Sequence, residues 1–415
     1  MSARPSGHSP EIARPRRLAG GLLALAAACV VALAMAELAL RLAAMAGVRL
    51  DLAQFRIQGT RCLLTYHPER GWQNPPNSTQ ECFGSEVRVD SHGFRGPEIS
   101  THKPRHTFRV LVLGDSFAWG WGVAENETVP HFLEDRIRGA LGSEPRVEVA
   151  NAGVSGYGTV QELLLLHEWG ARLKPDVVVL DFYGNDCWNN VVGFEYGYPK
   201  PTFRDVLGPD ASWDRRVPRG FSDGRGFYAL HELPGLDHLL LYETLVSRAQ
   251  GNPAVARAFS AAGLVRLEAL GERPALSFPP RGVECNAVSA DLVAETERLA
   301  TSIGARTLVV YNPHTDMLTE DEYRAPARHD PMPRLLAERG IHPVDVFLAL
   351  RDRHLTREEL CQPNHGEHYS AVGNHVIAEL IQDELAARGW LPASTQEARG
   401  PRSETSGSAV ASAAR

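Results

Sequence analysis

The chain has no block of basic residues beyond Arg14-Pro15-Arg16-Arg17, and its formal net charge is −7. A protein that grips a polyanion carries a basic patch, so no nucleic acid is expected as a partner. Cysteine is scarce, six in 415 residues, and none stands in Cys-x-x-Cys spacing, which sets aside the common structural zinc sites. His365, His368 and His375 lie close together with His314 elsewhere, yet there is no His-Glu-x-x-His. No catalytic metal and no cofactor is therefore expected. There is no internal repeat, and 43% hydrophobic with 22% charged residues describes a folded chain with one large core plus extensions rather than a fibre or a disordered polymer.

The most conspicuous feature present is an uncharged apolar run from Leu18 to Ala36, preceded by Arg4, Arg14, Arg16 and Arg17. As a helix such a run crosses most of a bilayer. Basic residues before it keep the short N-terminal tail, 1–17, in the cytoplasm and send everything after about Val48 out, to the periplasm or the exterior. Glu37 and Arg41 stand four apart in the order that favours a helical ion pair, so the helix is expected to continue to about Gly47. The expected anchor is 18–47. The alternative is a cleaved signal peptide, since Ala34-Met35-Ala36 fits the small-x-small pattern, but the run exceeds a usual signal core. Both readings export the rest.

Residues 48–104 are rich in turn formers, among them Pro68, Gly71, Pro75, Pro76, Gly93 and Pro97. They predict a loop-rich extension with at most short strands, such as Glu86-Val87-Arg88-Val89. Five cysteines fall in the exported part. Cys62 with Cys82 and Cys285 with Cys361 are the expected pairs, against the alternative of five reduced, packed thiols.

From about residue 105 to 390 apolar runs of strand length, Arg109–Gly114, Arg146–Ala150, Asp176–Tyr183, Arg306–Tyr311 and Ile341–Val346, alternate with helix-period segments, Thr128–Leu141, Thr159–Leu173, Leu292–Ile303 and Pro331–Arg339. That alternation predicts an α/β fold, a doubly wound parallel sheet of about five strands with helices on both faces. Between about 187 and 290 it stops. Aromatics such as Phe194, Tyr196, Trp213 and Phe227 come first, then a helical pattern from Leu236 to Arg248. This stretch reads equally as a lid over the strand tips or as an excursion with a small core of its own. The tail, 391–415, is rich in Ser, Ala and Gly and is expected to be disordered.

One of those runs, Arg109-Val110-Leu111-Val112-Leu113, ends in Gly114-Asp115-Ser116. In an open parallel sheet the strand tips border the ligand crevice, so Ser116 is a candidate nucleophile. Asn151-Ala152-Gly153 follows the next strand, Gly184-Asn185-Asp186 the third, and His368 opens the last helical pattern. In this order Ser116, Gly153, Asn185 and His368 resemble the four blocks of the GDSL/SGNH hydrolase superfamily of serine esterases, lipases and related acyl-handling enzymes, here as a membrane-anchored, bacterial-type member. The resemblance covers about Arg105 to Trp390 and implies a flavodoxin-like sheet.

Acyl transfer explains why these residue types belong together. A serine hydroxyl needs a base within hydrogen-bond reach, and the oxyanion formed on attack needs donors already aimed at it. The resemblance makes Ser116 the nucleophile and His368 the base. It places the oxyanion donors at the backbone N–H groups of Ser116 and Gly153 and at the Asn185 amide. One position departs from the family pattern, which has Asp three residues before the histidine; this chain has His365 there. Glu367 and His365 are the candidates to orient the base, with Asn364 and Asp345 also near. Trp119 and Trp121, interleaved with Gly120 and Gly122, are read as pocket walls rather than helix packing, and His375 as a polar residue on the last helix.

Three functions follow, in order. The first is an exported, membrane-anchored ester hydrolase working through an acyl-serine on an acyl ester, of an O-acetylated envelope glycan or a lipid. The second is an O-acyltransferase that passes the same acyl group to a polysaccharide hydroxyl. The third is a non-catalytic binding domain.

Overall fold

The apolar N-terminal run forms a continuous helix, Ala13–Met45. Within it Leu23–Ala43 has a mean hydropathy of 2.4 and is long enough to cross a membrane. Arg41 Nε donates to Glu37 Oε1 at 2.7 Å, the one-turn ion pair expected from their spacing. The computed structural model describes residues 13–45, 54–56, 62–142, 144–195, 198–208, 211, 213, 241, 284–312, 331–353, 355–362 and 368–393. It divides into two compact units, residues 1–55 with 223–267, and residues 56–222 with 268–415. A short strand, β1 (Gln54–Arg56), lies where they meet in sequence.

The second unit opens with two antiparallel hairpins, β2 (Leu63–His67) with β3 (Gly71–Gln73) and β4 (Ser78–Cys82) with β5 (Ser85–Val89). In β5 the side chains alternate, Glu86 and Arg88 exposed, Val87 and Val89 buried, the two-residue period of a half-buried strand. The Cys62–Cys82 disulfide joins the hairpins, with Cα atoms 5.1 Å apart. Trp72 is fully buried and its indole N–H donates to Ser155 O at 2.9 Å, which locks the extension onto the core.

The core strands are β6 (Thr107–Gly114), β7 (Arg146–Asn151) and β8 (Val177–Tyr183), then, after a two-residue pair β9 (Phe194–Glu195) and β10 (Tyr198–Pro199), β11 (Arg306–Asn312) and β12 (Val344–Asp345). Five of them form one parallel sheet in the order β12-β11-β8-β6-β7. Counted along the chain this is 2-1-3-4-5, the flavodoxin-like doubly wound order. All seven residues of β8 are buried, as a strand covered on both faces requires. Leu133 and Ile137 of the Val129–Leu141 helix and Ile377 and Ile381 of the Ala371–Ala387 helix pack on Val110, Val112, Val177 and Val179. Val160, Leu163 and Leu164 of the Thr159–Leu173 helix meet Leu292 of the Cys285–Ser302 helix in a second cluster. Each such side chain stabilises the fold by about 1.5–3 kcal/mol when fully buried.

Two expectations need correction. The fifth strand is only Val344–Asp345, because a helix starts at Val346 and Asp345 Oδ1 accepts from Leu348 N at 3.1 Å. Cys285 pairs with Cys187 rather than Cys361, with Cα atoms 5.1 Å apart. Cys187 sits in the short helix at the exit of β8 and Cys285 begins its own helix, so the bridge closes the base of the long segment between them. Asn190 Nδ2 donates to Ser289 Oγ at 2.9 Å beside it. Cys361 is instead a buried thiol in the cluster with Tyr369 and Ile377. Apart from Leu241 the helix expected over Leu236–Arg248 lies outside the described residues, as do most of the 187–290 stretch and the tail from 394.

Candidate active site

The chain runs from β6 to β7 on one side of the sheet and from β8 to β11 on the other. The crevice between the tips of β6 and β8 is thus the topological switch point, where open α/β sheets bind ligands. Ser116 lies just past β6 and Asn185 just past β8.

Ser116 starts a one-turn helix, Ser116–Trp119, capped by Asp115, whose Oδ1 accepts from Phe117 N at 2.9 Å. His368, just before the final helix, places Nε2 2.8 Å from Ser116 Oγ. The Asn185 amide donates to Asp115 Oδ2 at 3.1 Å. An amide nitrogen carries two hydrogens, and this contact commits one. Gly153 donates its N–H to Asn151 Oδ1 at 3.1 Å, and its carbonyl accepts from Asn74 Nδ2 at 3.0 Å. A Cβ at Gly153 would run into the backbone nitrogen of Trp119, so only glycine lets this loop lie against the Ser116–Trp119 helix.

Behind the crevice four carboxyls are buried: Asp115, Glu162, Asp181 and Asp186. Burial pushes Asp115 up to about 6, against the pull of the Phe117 N–H and the Asn185 amide. Burial and the neighbouring Asp115 push Asp181 up to about 8, and Glu162 and Asp186 also rise well above the carboxylate range, burial again dominating. The charge of buried Lys200 opposes the rise in the last two.

The tryptophans divide. Trp119 is buried under the Arg95 guanidinium, 4.8 Å from its ring centre; it packs, and the pocket-wall reading fails for it. Trp121 is half-buried and stacks on His368 at 5.1 Å and 14°. His375 lies on the final helix, its ring edge-on to Phe132 at 5.1 Å. Glu367 and His365 lie outside the described residues, as does Asn364. Asp345 caps a helix, as described above.

Three contributors escaped the motif reading. Asp115 holds the Asn185 amide. Arg95 donates to the carbonyls of Trp119, Gly120 and Val123 at 2.9, 2.7 and 2.7 Å, satisfying the end of the Ser116–Trp119 helix and the turn after it from the extension. Gln362 donates its N–H to His368 O at 2.9 Å and its amide to Tyr369 O at 2.9 Å and to Trp121 O. The signal for the last was Gly122, at φ +76, where a Cβ would collide with Gln362. Two groups among the described residues could offer ligands to a cation, His67 with Glu69 and Glu168, and Asp90 with His92 and Glu98. Neither contains a residue of this site, and Glu168 is already paired with Arg70.

Residues 112–376, more than half of the chain, match the model of the GDSL-like Lipase/Acylhydrolase family. The chain belongs to this family. It is an ester-hydrolysing enzyme, and the matched segment runs from within β6 into the first turns of the final helix. Solved structures with a similar fold include a lipase/acylhydrolase from Enterococcus faecalis, 15% identical over 68% of this chain and 96% of that one, TM-score 0.33. TesA is 14% identical over 67% of this chain and 98% of its own, TM-score 0.35. The acetylxylan esterase Axe2 from Geobacillus stearothermophilus is 16% identical over 71% and 99%, TM-score 0.31. Likenesses this distant say nothing of the substrate. No curated protein shows a significant match.

Proposed function

We propose that this GDSL-family enzyme is an exported serine esterase, held at a membrane by the helix Ala13–Met45, that cleaves acyl esters of envelope glycan or lipid through an acyl-serine intermediate. The observation that carries the reading is the 2.8 Å contact between Ser116 Oγ and His368 Nε2 at the switch point. In this mechanism Ser116 Oγ attacks the acyl carbonyl while its proton passes to His368 Nε2. The negative charge moves to the carbonyl oxygen, where the Ser116 and Gly153 N–H groups and the second hydrogen of the Asn185 amide receive it. For Gly153 this means sharing an N–H that Asn151 holds in the free enzyme; such donors tighten on the substrate as the complex forms. The C–O bond breaks as the imidazolium returns its proton to the departing alcohol. Water, deprotonated by the same imidazole, then frees the acid and restores Ser116. His365 and Glu367 remain the proposed groups for orienting the base.

The extracytoplasmic placement rests on the arginines ahead of the apolar helix, and the envelope ester follows from it. The test is a panel of esters of graded acyl length given to the full chain, with and without glycan acceptors, together with a reporter active only outside the cytoplasm fused after Trp390. Release of free acid without acceptor and an active reporter are expected. Product formed only with an acceptor would replace hydrolysis by acyl transfer, and an active cytoplasm-only reporter would reverse the placement.

A further inference from the structure

The hairpin β4–β5 precedes the residues that match the family model, yet its tip reaches the ring that stacks on His368. Its two-residue turn is Phe83-Gly84, between the paired residues Cys82 and Ser85, with φ of +54 and +81. Left-handed backbone at both positions belongs to the tight hairpin turn that selects asparagine, aspartate or glycine. A phenylalanine in the first is a genuine outlier, and such outliers persist only where the surrounding structure holds them.

The Phe83 ring lies 4.4 Å from Trp121, and Trp121 stacks on the His368 imidazole at 5.1 Å and 14°. Phe117, beside the nucleophile, stacks on the same imidazole at 4.9 Å and 27°, and on Tyr183 of β8 at 3.9 Å. A connected row of rings thus runs from the hairpin tip through the base to the central strand. The hairpin itself is fixed. Cys82, next to Phe83, is tied to Cys62, and Arg88 on β5 pairs with Glu125 at 2.7 Å. On the backbone side Gln362 joins the Trp121 carbonyl to those of His368 and Tyr369, so the ring partners cannot drift apart.

An imidazole whose backbone is pinned can still turn about its last side-chain torsion, which is broad and two-fold in histidine. Flat neighbours remove that freedom and leave Nε2 facing Ser116 Oγ. We propose that the β4–β5 hairpin is part of the active site, with Phe83 acting through Trp121 as a positioning residue for His368. This rests on the serine-esterase reading only for its kinetic consequence; the ring geometry stands without it.

The experiment compares Phe83→Ala and Phe83→Tyr with wild type, each as the full chain in detergent, by two readouts. The first is the rate at which a fluorophosphonate labels Ser116, with kcat and KM on a short ester. The second is the rate at which diethyl pyrocarbonate modifies His368, followed by peptide mass spectrometry. Phe83→Ala should label Ser116 on the order of tenfold more slowly, since small misplacements of a reacting group are costly. Its kcat should fall with KM little changed, and His368 should be modified several-fold faster. Phe83→Tyr, which keeps the ring, should restore all of these. Wild-type labelling in Phe83→Ala, or a loss that Phe83→Tyr does not recover, overturns the proposal. Should the fluorophosphonate fail to label wild type, the esterase reading falls instead, and the His368 rates still decide: equal modification in Phe83→Ala and wild type overturns the positioning role.

Discussion

Replacing Asp181 by asparagine should make the protein more stable in alkali and leave it unchanged in acid. Asp181 lies on β8 opposite Gly114 of β6, is 4% exposed, and accepts a hydrogen bond from Asn312 Nδ2 on β11. Burial and the neighbouring Asp115 push its carboxyl up to about 8, whereas the unfolded chain releases that proton near pH 4. Between these values the folded chain binds the extra proton, so stability falls as pH rises from about 4 to about 8 and levels off beyond. At about 1.4 kcal/mol per pH unit of separation, the carboxylate above pH 8 costs on the order of 5 kcal/mol. The substituted amide would keep an oxygen for Asn312 and carry no charge. Urea unfolding of the full chain at pH 4.5, 6, 7.5 and 9 should show Asp181→Asn within about 1 kcal/mol of wild type at the first value and several kcal/mol more stable at the last. A variant that tracks wild type at every pH, or is weaker at pH 9, would refute the reasoning.

Asn185→Ala should lower kcat by about 10²–10³-fold, the usual loss for one oxyanion donor, while a fluorophosphonate still labels Ser116; a loss of less than about threefold would remove Asn185 from that role. Non-reducing peptide maps should link Cys187 to Cys285 and Cys62 to Cys82, and a Cys285–Cys361 peptide would contradict the fold described. Closing a loop of about 100 residues stabilises by about 4–5 kcal/mol in the chain-entropy account, so Cys187→Ser with Cys285→Ser should shift the urea midpoint markedly downward. An unchanged midpoint would show that the intervening segment is held by other contacts.

The core was legible because its signals are local. An apolar run followed by Gly-Asp-Ser declares a strand tip, and the runs at Arg146, Asp176 and Arg306 place the other strands within two residues of those observed. Ser116, Gly153, Asn185 and His368 could be proposed because their order along the chain resembles the four blocks of the family, and Ser116 and Asn185 each sit at a strand exit bordering the crevice. What was illegible depends on partners far away in sequence. Arg95 serves carbonyls of residues 119–123, and Asn74 reaches Gly153; nothing in the run of prolines and glycines around them specifies such partners. The partner of Cys285 is likewise decided by the β8 exit standing beside its helix, a fact of topology rather than spacing. Trp119 and Trp121 look alike in sequence, and only the course of the chain after Gly120, at φ +88, turns one into the core and the other onto the His368 ring.

The central claim is that Ser116, activated by His368, carries the acyl group. Its most direct test is rapid acid quenching of the full chain during turnover of a short ester, with peptide mass spectrometry of the segment containing Ser116. The account predicts an acyl adduct on Ser116 in wild type, none in Ser116→Ala, and loss of most turnover in both Ser116→Ala and His368→Ala, the double variant being little worse because residues acting as a unit are not additive. Undiminished turnover by Ser116→Ala, or an adduct on another residue, would contradict it.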